Sequence, residues 1–171
     1  GSQVTLSDLA VYATAGRTAG TAAAGIYIDA NAGTTSARVT LRNVHVLNQA
    51  GTGVHAVRVE HHTFDRVWAS YCGGKGIYLD HGAGAVSWNL LMNCRAQYCG
   101  GIGIELSSNS QHNTLINCET LQCEGDQGML IAGRGNILIN PDSENSDNIT
   151  ALTTYVGIEL QGSRHMILGG Y

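Results

Sequence analysis

The chain has 171 residues and a net charge of −4 at pH 7, with nine Lys or Arg against 13 Asp or Glu. That length allows one domain, and the acidic balance leaves no basic surface, so a nucleic-acid partner is not expected. No apolar run is long enough to span a membrane and no signal peptide is visible. Gly1-Ser2 reads as a cloning remnant, with residues 3–171 forming the domain.

From the first strand onward, one block recurs. A small polar residue followed by an interior-type one appears at Asp8-Leu9, Asn43-Val44, Arg66-Val67, Asn93-Cys94, Asn117-Cys118 and Asn140-Pro141, with Gly169-Gly170 as a degenerate last member. The steps are 35, 23, 27, 24, 23 and 29 residues. Self-similarity at such a period signals stacked repeats, each burying its apolar face only against its neighbours. Two residues before each anchor stands an apolar column: Leu6, Leu41, Phe64, Leu91, Leu115, Leu138, Ile167. A second column (Leu9, Val44, Val67, Cys94, Cys118, Pro141) follows the anchor directly. A third, two residues further on, runs Val11, Val46, Ala69, Ala96, Thr120, Ser143. Alternation with period two makes each arm a half-buried strand, and the slip of parity at the anchor predicts a sharp bend between two short strands.

A further strand follows a glycine in each repeat, at Gly25, Gly53, Gly76, Gly103, Gly128 and Gly157. These glycines are expected to supply the backbone angles of a tight corner. Each coil therefore carries three short strands, and no 3.6-residue stripe supports helices. The five cysteines fall in two columns, Cys94 with Cys118 and Cys72 with Cys99 and Cys123, where small buried thiols suit a core. The repeat is still running at both termini, so the chain is expected to be a fragment of a longer one.

Three strands per coil with Asn at one bend resembles the right-handed parallel β-helix of the pectate-lyase and phage-tailspike superfamily. In that family stacked Asn side chains form a ladder at one turn. Asn43, Asn93, Asn117 and Asn140 match it and Arg66 breaks it. The resemblance implies an all-β, right-handed single-stranded parallel β-helix of about seven coils. The Asn-Thr-Asp, Asp-Asp, Gly-His-Gly and Arg-Ile-Lys segments of polygalacturonase-like hydrolases are absent, as is the Asp-Pro-His of alginate epimerases, so no catalytic signature carries over.

Function must then sit on outward positions. The post-glycine strands place Tyr27, His55, Tyr78, Glu105, Leu130 and Glu159 in one column, with Asp80 diagonal to Glu105. Two carboxylates beside aromatic rings suit glycoside cleavage, one protonating the leaving oxygen and the other activating water. Asp80 and Glu105 are thus the candidate catalytic pair, with Tyr27, His55 and Tyr78 binding substrate. Outward acids are equally ordinary solubilising residues. The next face carries His45, Trp68, Arg95, Glu119 and Asp142. Trp68 and Arg95 are candidate saccharide contacts and Glu119 with Asp142 the reserve acid pair; alternatively, Arg95 and Glu119 pair with each other. A third face turns apolar outward at Met92, Ile116, Ile139 and Leu168, which predicts self-association.

The fold resemblance and these faces together imply a phage tailspike or tail-appendage β-helix. It would bind, and as a glycoside hydrolase depolymerise, a bacterial surface polysaccharide, as a homotrimer on a virion or outside the cell. The alternatives are a free-standing bacterial polysaccharide lyase or hydrolase of this fold, and a non-catalytic shaft. No cofactor or metal is expected, because no His-x-His or compact Cys/His pattern occurs.

Overall fold

In a computed structural model, the structure describes residues 3–13, 24–30, 38–144 and 155–170. Every strand pairing among them is parallel, within one ten-stranded and one eight-stranded sheet. The anchor is the bend that the parity slip required. Asp8, Asn43, Arg66, Asn93, Asn117 and Asn140 all take φ between 47° and 55°. In the early rows the strand runs through the bend unbroken, as in Arg38–Leu47 and Thr63–Ser70. In later rows it divides, as in Leu90–Met92 and Arg95–Gln97. A column of left-handed non-glycine residues is tolerated where the next row repeats the same geometry, so that stacking over-determines the conformation.

The three apolar columns face inward as expected. Leu41, Phe64, Leu91, Leu115 and Leu138 are almost fully buried, as are Val44, Val67, Cys94 and Cys118. All five cysteines are buried free thiols. Burial, then the neighbouring Cys118, pushes the Cys94 thiol well up; hydrogen bonding with Cys123 and Cys72 does the same for Cys99 before burial adds to it. Thiols of that kind are unreactive packing groups.

Three expectations need correction. The described residues make about five turns, fewer than the expected seven coils. Seven rows line the first arm, but its outermost rows, Gln3–Tyr12 and Met166–Leu168, each have a neighbour on one side only, so rows outnumber turns. The glycines that open the post-glycine strands, Gly25 through Gly157, do not have positive φ. In the middle rows the need is space: a Cβ at Gly76 would lie 2.5 Å from Ala96 Cβ and from Gly103 O, whereas at Gly157 it would make only ordinary contact. Finally, the coil holds a fourth short segment. Val86–Ser87 and Ser110–Gln111 pair with each other, and Gln111 pairs onward with Arg134.

The anchor amides do stack. Asn117 donates to Asn93 and Asn140 to Asn117, both at 3.3 Å, on the exposed surface. Arg66 donates from Nε to Asn43, so it interrupts the run of amides while keeping the column bonded upward. A second ladder, missed in the sequence, lies in the core. Asn89, Asn113 and Asn136 are buried one residue before the strands Leu90–Met92, Thr114–Ile116 and Ile137–Ile139. Each Oδ1 accepts the backbone N–H of the residue one row above, from His62, Asn89 and Asn113 in turn. Their spacing of 24 and 23 residues in register was the available signal.

Candidate functional site

The candidate residues fall on two separate sheets. On the eight-stranded sheet, Tyr27, His55, Tyr78, Glu105, Leu130 and Glu159 lie in direct register, as the alternation predicted. Tyr27 meets His55 edge to face at 5.3 Å, and His55 stacks on Tyr78 at 4.9 Å. The Lys75 ammonium sits 3.5 Å from the centre of the Tyr78 ring and 2.7 Å from Glu105 Oε2. Two groups that close cannot share one ring face, so both faces of Tyr78 are taken. Tyr27, 57% exposed, is the ring of this column open to a ligand. Glu105 is outward by register but only 8% exposed, because Lys75 lies over it. Lys75 comes from the turn before Tyr78, and no periodicity fixes where a turn side chain reaches.

Asp80 is bonded on several sides. Gly82 N–H donates to it at 3.0 Å, and His55 Nε2 lies 3.4 Å away. Burial alone would raise its carboxyl; the Gly82 N–H, His55 and the Tyr78 hydroxyl outweigh burial and hold it below the usual carboxylate range. The Tyr78 phenol is pushed well up, by burial first and then by the charges of Asp80 and Glu105. His81 Nδ1 reaches Ser107 Oγ at 2.9 Å and Asp80 at 3.8 Å. Both contacts use one nitrogen, so the three residues do not form a proton relay, which needs the two ring nitrogens on different partners.

The depressed Asp80 carboxyl gives a pH prediction. A group lowered in the folded state contributes stability above its unfolded value, about 3.9, and loses it as pH falls through the folded value. Asp80→Asn is therefore expected to be less stable than wild type at pH 7, with the gap closing in the acid range below about pH 4. Urea unfolding at stepped pH measures this; a gap constant from pH 7 to pH 3 would contradict it.

On the ten-stranded sheet, His45, Trp68, Arg95, Glu119 and Asp142 are successive register partners. Trp68 is 45% exposed and packs edge to face on His45 at 5.7 Å. Burial lowers the His45 imidazole, which keeps it neutral. Asn43, Val44, His45, Arg66 and Trp68 line a recess of about 240 Å³. A second recess of about 390 Å³ is lined by Asn117, Cys118, Glu119, Asn140, Pro141 and Asp142. Both lie where the left-handed anchor turns the chain, on the same columns of different rows. Between them Arg95 pairs with Glu119 at 3.1 Å, as the plainer reading of those two residues expected. From His45 to Asp142 the strip spans four strand spacings, about 19 Å. Asn43 and Arg66 were not among the candidate site residues; the anchor column itself was the signal for them. Arg66 is positioned by Asn43 and by Asp65, which Arg42 also approaches at 3.4 Å.

The apolar face is in register too. Ile116 stands between Met92 and Ile139, and Ile139 pairs with Leu168. The first three are half-buried and Leu168 is exposed. Trp88 stacks between His61 and His112 at a corner, with its ring centre 6.4 Å and 4.6 Å from theirs. Among the described residues no cluster of three metal-ligating side chains occurs.

A family described as right handed beta helix region matches residues 24–168. No curated protein and no solved structure matches the chain.

Proposed function

The chain belongs to the right-handed β-helix family, and from that premise we propose that it binds a bacterial surface polysaccharide as part of a phage tail appendage. The fold is consistent with proteins that bind or degrade polysaccharide. The observation that carries the reading is the strip on the ten-stranded sheet. An open indole begins it, and Arg95, Glu119, Asn117, Asn140 and Asp142 continue it over about 14 Å. A sugar ring packs its C–H face on Trp68, and carboxylates, amides and guanidinium satisfy the hydroxyls of the following units.

Binding stands ahead of cleavage because the acids of the first pair already have partners. Hydrolysis by Asp80 and Glu105 needs one carboxyl to carry a proton. Asp80 is held ionised, and Glu105 Oε2 is already paired with the Lys75 ammonium at 2.7 Å. In the reserve pair, Glu119 forms an ion pair with Arg95 at 3.1 Å. Assembly as a homotrimer through Met92, Ile116, Ile139 and Leu168 belongs to the same proposal, supported by the continuous outward apolar register of those four residues.

Titration calorimetry against a panel of bacterial polysaccharides tests this. Trp68→Ala is expected to weaken binding at least about tenfold, as loss of an aromatic anchor does. Unchanged affinity would reject the strip; loss on Tyr27→Ala instead would move the site to the eight-stranded sheet. New reducing ends during the titration would restore cleavage, and Asp80→Asn against Asp142→Asn would say which pair performs it.

A further inference from the structure

The outer ladder has a direction. Its amides donate to the row above: Asn43 to Asp8, Asn117 to Asn93 and Asn140 to Asn117. Arg66 follows that rule on one side only. Its Nε donates up to Asn43, but a guanidinium has no lone pair to offer the row below. Asn93 stands in that row, in register with Arg66, and among the described residues no acceptor stands opposite its Nδ2. Arg66 Nη2 goes sideways to Asp65 at 3.2 Å, which leaves Nη1 open. Asp65 is shared with Arg42, so two guanidiniums face one carboxylate there. Asp8, the other acid of this corner, lies two rows from Arg66, beyond Asn43.

Donors from two rows therefore meet at one gap with nothing to accept them. The gap lies beside the recess lined by Arg66 and Trp68, and the exposed indole is two residues along the same row. Asparagine at position 66 would complete the ladder and suit its φ of 53°. Arginine gives up a rung and supplies a positive charge.

We propose that this break seats an anionic group carried on a sugar, so that the bound polysaccharide is an acidic one, held at Arg66 and Asn93 with the ring of its charged unit on Trp68. The inference rests on the strip as the binding surface. A carboxylate accepts from Arg66 Nη1 and Asn93 Nδ2 together, and the charge makes the first bond stronger than a hydroxyl could. Further along, Glu119 and Asp142 are register neighbours, and Arg95 pairs with Glu119. A second anion at Asp142 would meet like charge. The polysaccharide is therefore charged at intervals, with neutral sugars between, and not on every unit.

Nitrogen-15 NMR of the whole chain, titrated with methyl galacturonoside, methyl galactoside and inorganic phosphate, tests this. The acidic glycoside is expected to move the Trp68 indole N–H and the Asn93 side-chain amide, and to bind roughly tenfold tighter than the neutral one. Arg66→Asn restores the rung, so it should keep its stability and erase that preference. Asn93→Asp fills the gap with its own carboxylate and should erase it with Arg66 in place. Trigalacturonate should bind more tightly once Glu119→Gln and Asp142→Asn remove the like charge; no gain would overturn the spacing of charges. Equal affinity for the two glycosides, or a preference that survives both gap variants, would overturn the inference and leave the strip standing. Phosphate that binds tighter than methyl galacturonoside and moves Asn93 without Trp68 would make the gap a free-anion site, which also overturns it. A Trp68 indole unmoved by either glycoside would reject the strip and this inference with it.

Discussion

Asn113→Ala is expected to destabilise the fold by about 3 kcal/mol or more, measured by chemical denaturation. The Asn113 side chain is fully buried and bonds to both neighbouring rows. Its Oδ1 accepts from the backbone N–H of Asn89 at 3.0 Å and from Asn89 Nδ2 at 2.9 Å. Its Nδ2 donates to Val86 O at 2.9 Å and to Asn136 Oδ1 at 3.0 Å. Alanine leaves the Asn89 N–H and the Val86 carbonyl without those partners, and each buried orphan costs about 1–3 kcal/mol. The outer ladder serves as comparison. Asn117→Gly keeps the left-handed bend, φ 49°, and removes an exposed amide whose bonds are 3.3 Å long. Its cost should stay within about 1 kcal/mol, as for surface changes away from special features. Equal losses at the two positions would contradict this account of which ladder holds the coils in register.

Gly133→Ala is expected to cost about 3 kcal/mol or more and to lower the yield of folded protein. Gly133 has φ 98°, outside what an L side chain adopts readily, and its Cβ would lie 1.9 Å from Ser110 O. The obstacle is backbone of the neighbouring row, held by the sheet, so a rotamer change cannot relieve it. Gly162 repeats the problem one row on, with φ 112° and the Gly133 carbonyl 1.9 Å from a Cβ. Gly157→Ala is the control: its Cβ would meet Ser143 at 3.6 Å, ordinary contact, and the change should be near neutral. A Gly133→Ala protein as stable as Gly157→Ala would rule out the close approach.

The candidate site was legible only in part. Register followed from the repeat, so Tyr78 beside Glu105 and Arg95 beside Glu119 were readable from spacing. What those side chains do in register was not. Lys75 caps Tyr78 and covers Glu105 from a turn, and Arg66 reaches back to Asn43 from the bend. Turn and corner residues have no period, so their reach depends on the row above and below.

By itself the sequence determined the stacked parallel rows, the three inward columns and the bend at Asn43, Asn93 and Asn117. A period of two within strands and a recurrence of 23 to 35 residues leave few other ways to bury those side chains. Tertiary structure alone decided which Asn column was the buried ladder, and why Gly53, Gly76 and Gly103 are glycine. Both depend on distances between residues a whole coil apart, such as the 2.5 Å from a Gly76 Cβ to Ala96. Such distances are set by how far neighbouring coils approach, and no pattern along a single coil contains that quantity.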